Sequence, residues 1–131
     1  MISLSRLLCE QVEINLNPIE EYESDFGKSY NTPFIKGPHK FFEMLAQYNT
    51  KVGEIEYGDV DPDTLEIVSI HIDKQHRSKG FGRLALTKLM QVTGKKTAIL
   101  KAAPSSKKFW KKAGFVPMRG KQVTSYFTKT I

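Results

Sequence analysis

The sequence has 131 residues, 40% hydrophobic and 26% charged, an ordinary balance for a single domain over residues 1–131 with little room for a second. We expect a cytoplasmic protein, because no apolar run approaches the roughly 20 residues of a membrane-spanning helix and a lone Cys9 excludes an internal disulfide or a cysteine-based zinc site. The net charge of +6 conceals a division, since residues 1–66 carry 13 acidic against 5 basic residues and residues 67–131 carry 1 against 15.

The N-terminal part is predicted to contain one strand and one short helix. Residues 9–16 alternate loosely and predict a strand that stops at the following Asn-Pro. Residues 18–27 have apolar side chains at helical spacing after a proline, which predicts a helix ending near a glycine. Residues 28–39 predict a loop that forms a lip beside the substrate rather than a packed element, with His39 as a bystander.

The middle of the chain predicts three strands in an antiparallel meander. Residues 40–47 suit either a helix face or a strand, and we choose a strand because residues 48–51 are typical of a hairpin turn into residues 52–57. Residues 58–63 predict a polar connection, and the apolar run at residues 64–72 predicts the third strand.

The second half predicts alternating helices and strands. Residues 81–93 repeat leucine and methionine at helical spacing and predict a helix that stops at Gly94. Residues 97–103 predict a strand parallel to residues 64–72, because a helix intervenes. Three further elements complete the prediction: a short helix at residues 104–115 and two strands at residues 116–118 and 124–131.

The connection between residues 64–72 and the next helix carries Gly80 and Gly82 at the mouth of that helix. Glycines there let the backbone approach a ligand, and the first helical N–H groups point outward at the positive end of the helix dipole. Arg77 and Arg83 flank the same position with positive charge. This combination is typical of a phosphate site, although a tight strand-to-helix turn without a ligand is the alternative.

The segment Arg77-Ser-Lys-Gly80-Phe-Gly82 resembles the acyl-CoA-binding motif of the GNAT superfamily of N-acetyltransferases, Arg/Gln-x-x-Gly-x-Gly/Ala after an apolar strand. Residues 65–72 are similar to the central strand of its histone acetyltransferase branch, and Glu66 precedes the glycines by the same distance as the general base of that branch. The resemblance implies an α/β (α+β) GNAT fold: a central mixed, mostly antiparallel sheet of six to seven strands, flanked by three or four helices and splayed at the acyl-CoA site.

The same resemblance implies an N-acetyltransferase that moves acetyl from acetyl-CoA to a primary amine of a protein lysine, a polyamine or another small amine. Attack would be direct, with Glu66 as base, no metal and no membrane partner. Family members are often dimers, so the resemblance admits a homodimer. The N–H of Ile70 would point at the thioester oxygen. The implied cofactor-binding residues are Ile70, His71, Ile72, Arg77, Ser78, Lys79, Gly80, Phe81, Gly82, Arg83 and Trp110.

Glu66 is also a candidate base on its own chemistry. It is a carboxylate inside an apolar strand, and partial burial is expected to raise its pKa into a useful range. The alternative is a strand-end glutamate that is exposed to water or paired with a lysine. His71 is a rival, because imidazole titrates near neutrality, but strand alternation puts it on the opposite face unless a bulge resets the register.

A second family segment is similar to Phe109-Trp-Lys-Lys-Ala-Gly-Phe115, but the family has tyrosine, the candidate acid for the CoA thiolate, where this chain has Trp110. An indole N–H has negligible acidity, so either solvent protonates the thiolate or turnover is slow. Trp110 either walls the thioester pocket or belongs to the core.

An alternative from a different class stays open. The basic half would attract a polyanion, either nucleic acid or a phosphorylated cofactor, while the acidic half would attract a basic substrate. The chain could therefore be a catalytically weak CoA-binding or nucleic-acid-binding module on the same fold. Four lysines follow Pro104 and are either a solvated helix face or contacts to phosphate: Lys107, Lys108, Lys111 and Lys112.

Overall fold

The computed structural model describes residues 13–26, 32–119 and 125–130. Its strands are β1 (Asn15–Ile19), β2 (Lys40–Ala46), β3 (Thr50–Asp61), β4 (Thr64–Ile72), β5 (Thr97–Lys101), β6 (Val116–Pro117) and β7 (Tyr126–Thr130). They form one seven-stranded sheet in the order β1-β2-β3-β4-β5-β7-β6. Only β4 and β5 are parallel neighbours among these described strands, which confirms the mixed, mostly antiparallel sheet and the meander of β2, β3 and β4.

Two α-helices lie in the described part of the chain, fewer than the three or four that the resemblance implies. They are α1 (Phe81–Thr93) and α2 (Lys107–Lys112). Helix α1 has the predicted bounds and ends at Gly94, which adopts a φ of +70° and donates its N–H to the carbonyl of Met90. Short 3₁₀ turns occupy Glu21–Glu23, Gln47–Asn49, Lys74–His76 and Pro104–Ser106. Neither helix is long and apolar enough to cross a membrane.

The helix predicted at residues 18–27 is wrong where the structure describes it. Residues 18 and 19 belong to β1, which pairs with β2 from Asn15 opposite Leu45 to Ile19 opposite Phe41, and only a 3₁₀ turn follows. Hydrogen bonding of this segment to β2 overrides the helical propensity that the spacing of its apolar residues suggested. Tyr22, which the prediction placed on an apolar helix face, is 84% exposed. Of the strand predicted at residues 9–16, residues 9–12 lie outside the described residues and residues 15 and 16 belong to β1. The predicted stop at Asn17 and Pro18 is wrong, because β1 continues through both to Ile19.

Other element bounds differ by a few residues. The predicted connection at residues 58–63 is shorter, because β3 continues to Asp61 and Asp63 donates its N–H to the Asp61 carboxylate over 2.8 Å. Strand β5 stops at Lys101, two residues before the predicted end. The helix predicted at residues 104–115 is a 3₁₀ turn followed by α2, and it ends before Gly114, whose φ is +95°.

The two faces of the sheet differ in chemistry. One face is apolar and packs against α1: Ile55 and Leu65 from the strands share a core with Leu86, Leu89 and Met90 from the helix. The opposite face carries three carboxylates that are at most 2% exposed: Glu54, Glu56 and Glu66.

Residues 32–39 cover the carboxylate face, so this part of the predicted lip is a packed element. The Phe34 ring contacts Tyr126 edge to face with centroids 5.0 Å apart. Ile35 lies over Gly58 so closely that a Cβ at Gly58 would come within 2.5 Å of its Cγ2. Two apolar side chains thus bury the segment against the sheet, although its sequence is typical of a surface loop.

Candidate active site

A β-bulge at Val68 decides which side chains share the carboxylate face. Strand β3 pairs Glu56 with Ser69 but Tyr57 with Ile67, so Val68 is an extra residue in β4. On either side of the bulge, Glu66 lies opposite Gly58 and His71 lies opposite Glu54. Because alternate residues of β3 point to one face, Glu66 and His71 lie on that same face. The register reset that the sequence left open therefore occurs.

The sheet splays beside this bulge. Parallel pairing of β4 with β5 runs only from Thr64 opposite Thr97 to Ile67 opposite Leu100. Strand β4 continues to Ile72, but within the described residues β5 does not follow it. The end of β4 therefore lies along a gap in the sheet, as the resemblance implied.

A cleft of about 460 Å³ opens at this gap. It brings together ten of the eleven sequence-predicted cofactor residues and leaves out Lys79, which is exposed elsewhere in the connection. Binding of a cofactor by these residues stays a prediction. The lining residues are Ile70, His71, Ile72, His76, Arg77, Ser78, Gly80, Phe81, Gly82, Arg83, Ser106, Phe109 and Trp110.

The N-terminus of α1 is open toward the cleft. Gly80 precedes the helix with a φ of +81°, no side chain caps the first turn, and a Cβ at Gly80 would meet nothing within 4 Å. Arg77 donates its Nε–H to the carbonyl of Ile72 over 2.9 Å, which fixes the connection against the end of β4. The uncapped N–H groups, the open space and the arginine together suit an anion.

Glu66 is fully buried, which excludes the exposed alternative. Tyr126 donates its hydroxyl to Oε2 over 3.5 Å, whereas Oε1 has no hydrogen-bond partner among the described residues. Burial raises the pKa of Glu66; the Thr32 hydroxyl, the Tyr126 hydroxyl and the charge of His39 oppose that rise only in part. A carboxylate with a raised pKa and one unpaired oxygen is suited to accept a proton.

Sequence reasoning missed the two other buried carboxylates. Glu54 accepts the N–H of Asp25 at 2.9 and 3.1 Å and lies 3.8 Å from the Lys51 ammonium. Glu56 contacts Nδ1 of His39 at 2.6 Å, so this histidine is not a bystander. Alternating glutamates in a strand normally indicate a solvated face, but here residues 32–39 cover Glu56 and the backbone at Asp25 contacts Glu54.

Trp110 belongs to the core, since it is only 6% exposed, and it also lines the cleft; its role beside a thioester stays a prediction. Its ring meets Phe109 and Phe115 edge to face, with centroids 4.9 and 5.3 Å apart. His71 is half exposed, with Nε2 3.4 Å from the Asp73 carboxylate. The lysines of α2 are all exposed. Among the described residues, no group of three or more His, Cys, Asp and Glu side chains could hold a metal ion.

Comparison with known proteins gives a family and a fold. The sequence matches the family model for the acetyltransferase (GNAT) family over residues 5–115. No curated protein sequence matches the chain.

Solved structures with the same fold include a spermidine/spermine N-acetyltransferase, SpeG, from Vibrio cholerae, with a TM-score of 0.61, 13% identity and coverage of 90% of this chain and 92% of that one. Tetrahymena GCN5 has a TM-score of 0.58 and 15% identity, with coverage of 71% of this chain and 68% of that one. An acetyltransferase from Thermus thermophilus has a TM-score of 0.58 and 18% identity, with coverage of 71% of this chain and 64% of that one. Identities this low show a shared fold, which confirms the expected fold class, and nothing finer.

Proposed function

The chain belongs to the GNAT family of acetyltransferases, and from this premise we propose that it transfers acetyl from acetyl-CoA to a primary amine with Glu66 as general base. The observation that carries the base assignment is the buried carboxylate, whose pKa is raised and whose Oε1 has no hydrogen-bond partner in the described part of the chain, one bulge away from the splayed end of β4. A buried base of this kind holds a proton more readily than an exposed glutamate does.

The cleft at the gap is the proposed site of acetyl-CoA, which supplies the acetyl thioester. The open N-terminus of α1 and Gly80 would receive the diphosphate, with Arg77 and Arg83 adding positive charge. The main chain from Ile70 to Ile72 would pair with the pantetheine arm, and the N–H of Ile70 would polarise the thioester carbonyl.

In the proposed reaction the amine nitrogen forms a bond to the acetyl carbon, and the carbon–sulfur bond breaks. The proton released by the nitrogen goes to Glu66 through a water molecule, because Glu66 is fully buried and does not line the cleft. The thiolate takes its proton from solvent, because position 110 carries an indole in place of a phenol.

The acceptor is proposed to be a cationic amine, such as a lysine side chain or a polyamine. Support comes from the acidic first half of the chain, where residues 1–66 carry 13 acidic against 5 basic residues. Negative charge there would attract an ammonium group.

Release of CoA with a panel of amines and lysine peptides, measured for the wild type and Glu66→Gln, tests the proposal. We expect Glu66→Gln to lower kcat about hundredfold, the usual effect of removing a general base. Glu43→Gln is the matched control, because Glu43 lies opposite Glu54 in the sheet but away from the gap, and it should change kcat less than about threefold. Unchanged rates in Glu66→Gln would remove Glu66 from the mechanism.

A second candidate is a CoA-binding or nucleic-acid-binding module without efficient catalysis. Trp110 at the position of the family's tyrosine and the exposed lysines of α2 favour it. Salt-dependent binding of oligonucleotides that saturating acetyl-CoA does not reduce would support this candidate over the transferase.

A further inference from the structure

His39 and Glu56 form a largely buried contact, and neither residue has a role in the proposed reaction. Nδ1 of His39 lies 2.6 Å from Oε2 of Glu56, and the two side chains are 16% and 1% exposed. An ionised carboxylate removed from water needs a compensating charge. Among the described residues, His39 is the ion-pair partner of Glu56.

This pair lies beside Glu66. Glu56 and Gly58 point to one face of β3, and Gly58 is directly opposite Glu66, so Glu56 and Glu66 are diagonal neighbours. Diagonal neighbours across two strands are about 7–8 Å apart, close enough for strong charge coupling in a buried region. Gly58 has no side chain of its own, and the apolar Ile35 side chain fills the space above it, which keeps this region away from water.

We propose that His39, held in place by Glu56, is a positioning residue for acetyl transfer: its positive charge keeps Glu66 in the ionised form that accepts the proton of the amine. This inference rests on the proposed function. Without the imidazolium, burial of Glu66 and the negative charge of Glu56 would both favour a protonated Glu66, which cannot act as a base.

Four described groups on other elements face Glu66. They are Glu56 from β3, Tyr126 from β7, and Thr32 and His39 from the segment before β2. Hydrogen bonds from the Thr32 and Tyr126 hydroxyls lower the pKa of Glu66, and the charge of His39 lowers it further. Both hydroxyls are neutral, so His39 is the member of this set that acts through charge.

His39→Gln tests the proposal, because glutamine can still donate a hydrogen bond to Glu56 but carries no charge. The titration of the Glu66 carboxyl is followed by NMR on protein with ¹³C-labelled glutamate, with Glu66→Gln used to assign the signal. We expect Glu66 to titrate at higher pH in the variant. The acidic limb of kcat/KM should move the same way, with about a tenfold loss at its acidic end and less than about twofold on the alkaline plateau.

Lys40→Gln is the matched control. Lys40 is the next residue and also cationic, but its ammonium pairs with Asp59 at 2.9 Å on an exposed edge. The Glu66 titration should not move in this variant. An unmoved titration in His39→Gln, or an equal shift in Lys40→Gln, would overturn the proposal.

His39→Asn is a second uncharged variant in case His39→Gln does not fold. The Glu66 signal should again titrate at higher pH than in the wild type. An unmoved signal would overturn the proposal. Because the titration requires no turnover, a shifted Glu66 signal in a protein that acetylates no amine would contradict the proposed function alone.

Discussion

Burial of Glu66 links the candidate base to the stability of the fold. The folded protein binds the Glu66 proton more tightly than the unfolded chain does, because burial raises the pKa of this carboxyl. The stabilisation from this proton is fully present below the unfolded-state pKa, about 4.3, and is lost as the pH rises through the higher folded-state value. Ionising the base therefore costs folding free energy.

Glu66→Gln should reveal this cost as a pH-dependent difference in stability. Glutamine is neutral at every pH and has nearly the same shape as glutamate. The variant therefore does not lose the folding free energy that ionisation of Glu66 costs the wild type. We predict that the free energy of unfolding of the variant, relative to the wild type, increases between about pH 4 and pH 8. Urea denaturation at a series of pH values measures it. A difference that stays constant or decreases with pH would contradict a raised pKa.

Single residues differ in how much of their role the sequence reveals. Glu66 could be singled out because a carboxylate in an apolar strand, at a fixed distance before two glycines, is an unusual combination; its role as a base stays a prediction. Gly53 was not: a Cβ there would lie 2.1 Å from the backbone oxygen of His71, so the close approach of β3 to the end of β4 requires glycine. Glu56 was also missed, because its burial depends on residues distant in sequence.

At the scale of elements, α1 has a glycine in the left-handed region at each end. Gly80 precedes the helix with a φ of +81° and Gly94 follows it with a φ of +70°. A Cβ at either position would meet nothing within 4 Å. The two glycines are thus equivalent in backbone conformation and space, but only Gly80 lies at the cleft. Substitutions at these two positions therefore distinguish the effect of backbone strain from the effect of a lost ligand contact.

We predict that Gly80→Asn weakens acetyl-CoA binding about tenfold, the equivalent of one lost hydrogen bond to a charged group, because the new side chain enters the proposed diphosphate position. Asparagine tolerates the left-handed region, whereas Gly80→Ala should also lose about 1–2 kcal/mol of stability. Titration calorimetry with acetyl-CoA and urea denaturation measure the two effects.

Gly94→Asn is the control for backbone conformation at the other end of α1. It should retain wild-type affinity for acetyl-CoA. Equal affinity in Gly80→Asn and Gly94→Asn would mean that the open N-terminus of α1 does not hold the diphosphate.

Elements were predictable where local signals agree. Residues 64–72 and 81–93 were predicted with the observed bounds, because turn residues and glycines delimit continuous apolar or helical patterns. Strand β1 was not, because its pairing with β2 depends on tertiary contact that local spacing does not contain. The bulge at Val68 was left open, although the alternation changes phase there: the polar residue Glu66 is at an even position, and the polar residues Ser69 and His71 are at odd ones.

At the scale of the molecule, the acidic first half and the basic second half of the sequence contribute to different parts of the structure around β4. The acidic half contributes the buried carboxylates of the face that carries Glu66. The basic half contributes Arg77 and Arg83 at the cleft and the exposed lysines of α2 beside it. In the proposed function, this arrangement would place the polyanionic cofactor on the basic side of the gap between β4 and β5.

Salt should therefore weaken acetyl-CoA binding, because it screens attraction between the phosphates and the cleft. We predict that the Kd of acetyl-CoA rises about tenfold from about 0.05 to 0.5 M NaCl. An acetylated pantetheine fragment without the nucleotide should change less than about twofold, because it keeps the thioester but has no phosphate. Calorimetry of both ligands measures the difference. Equal salt dependence would mean that the basic half does not contact the phosphates.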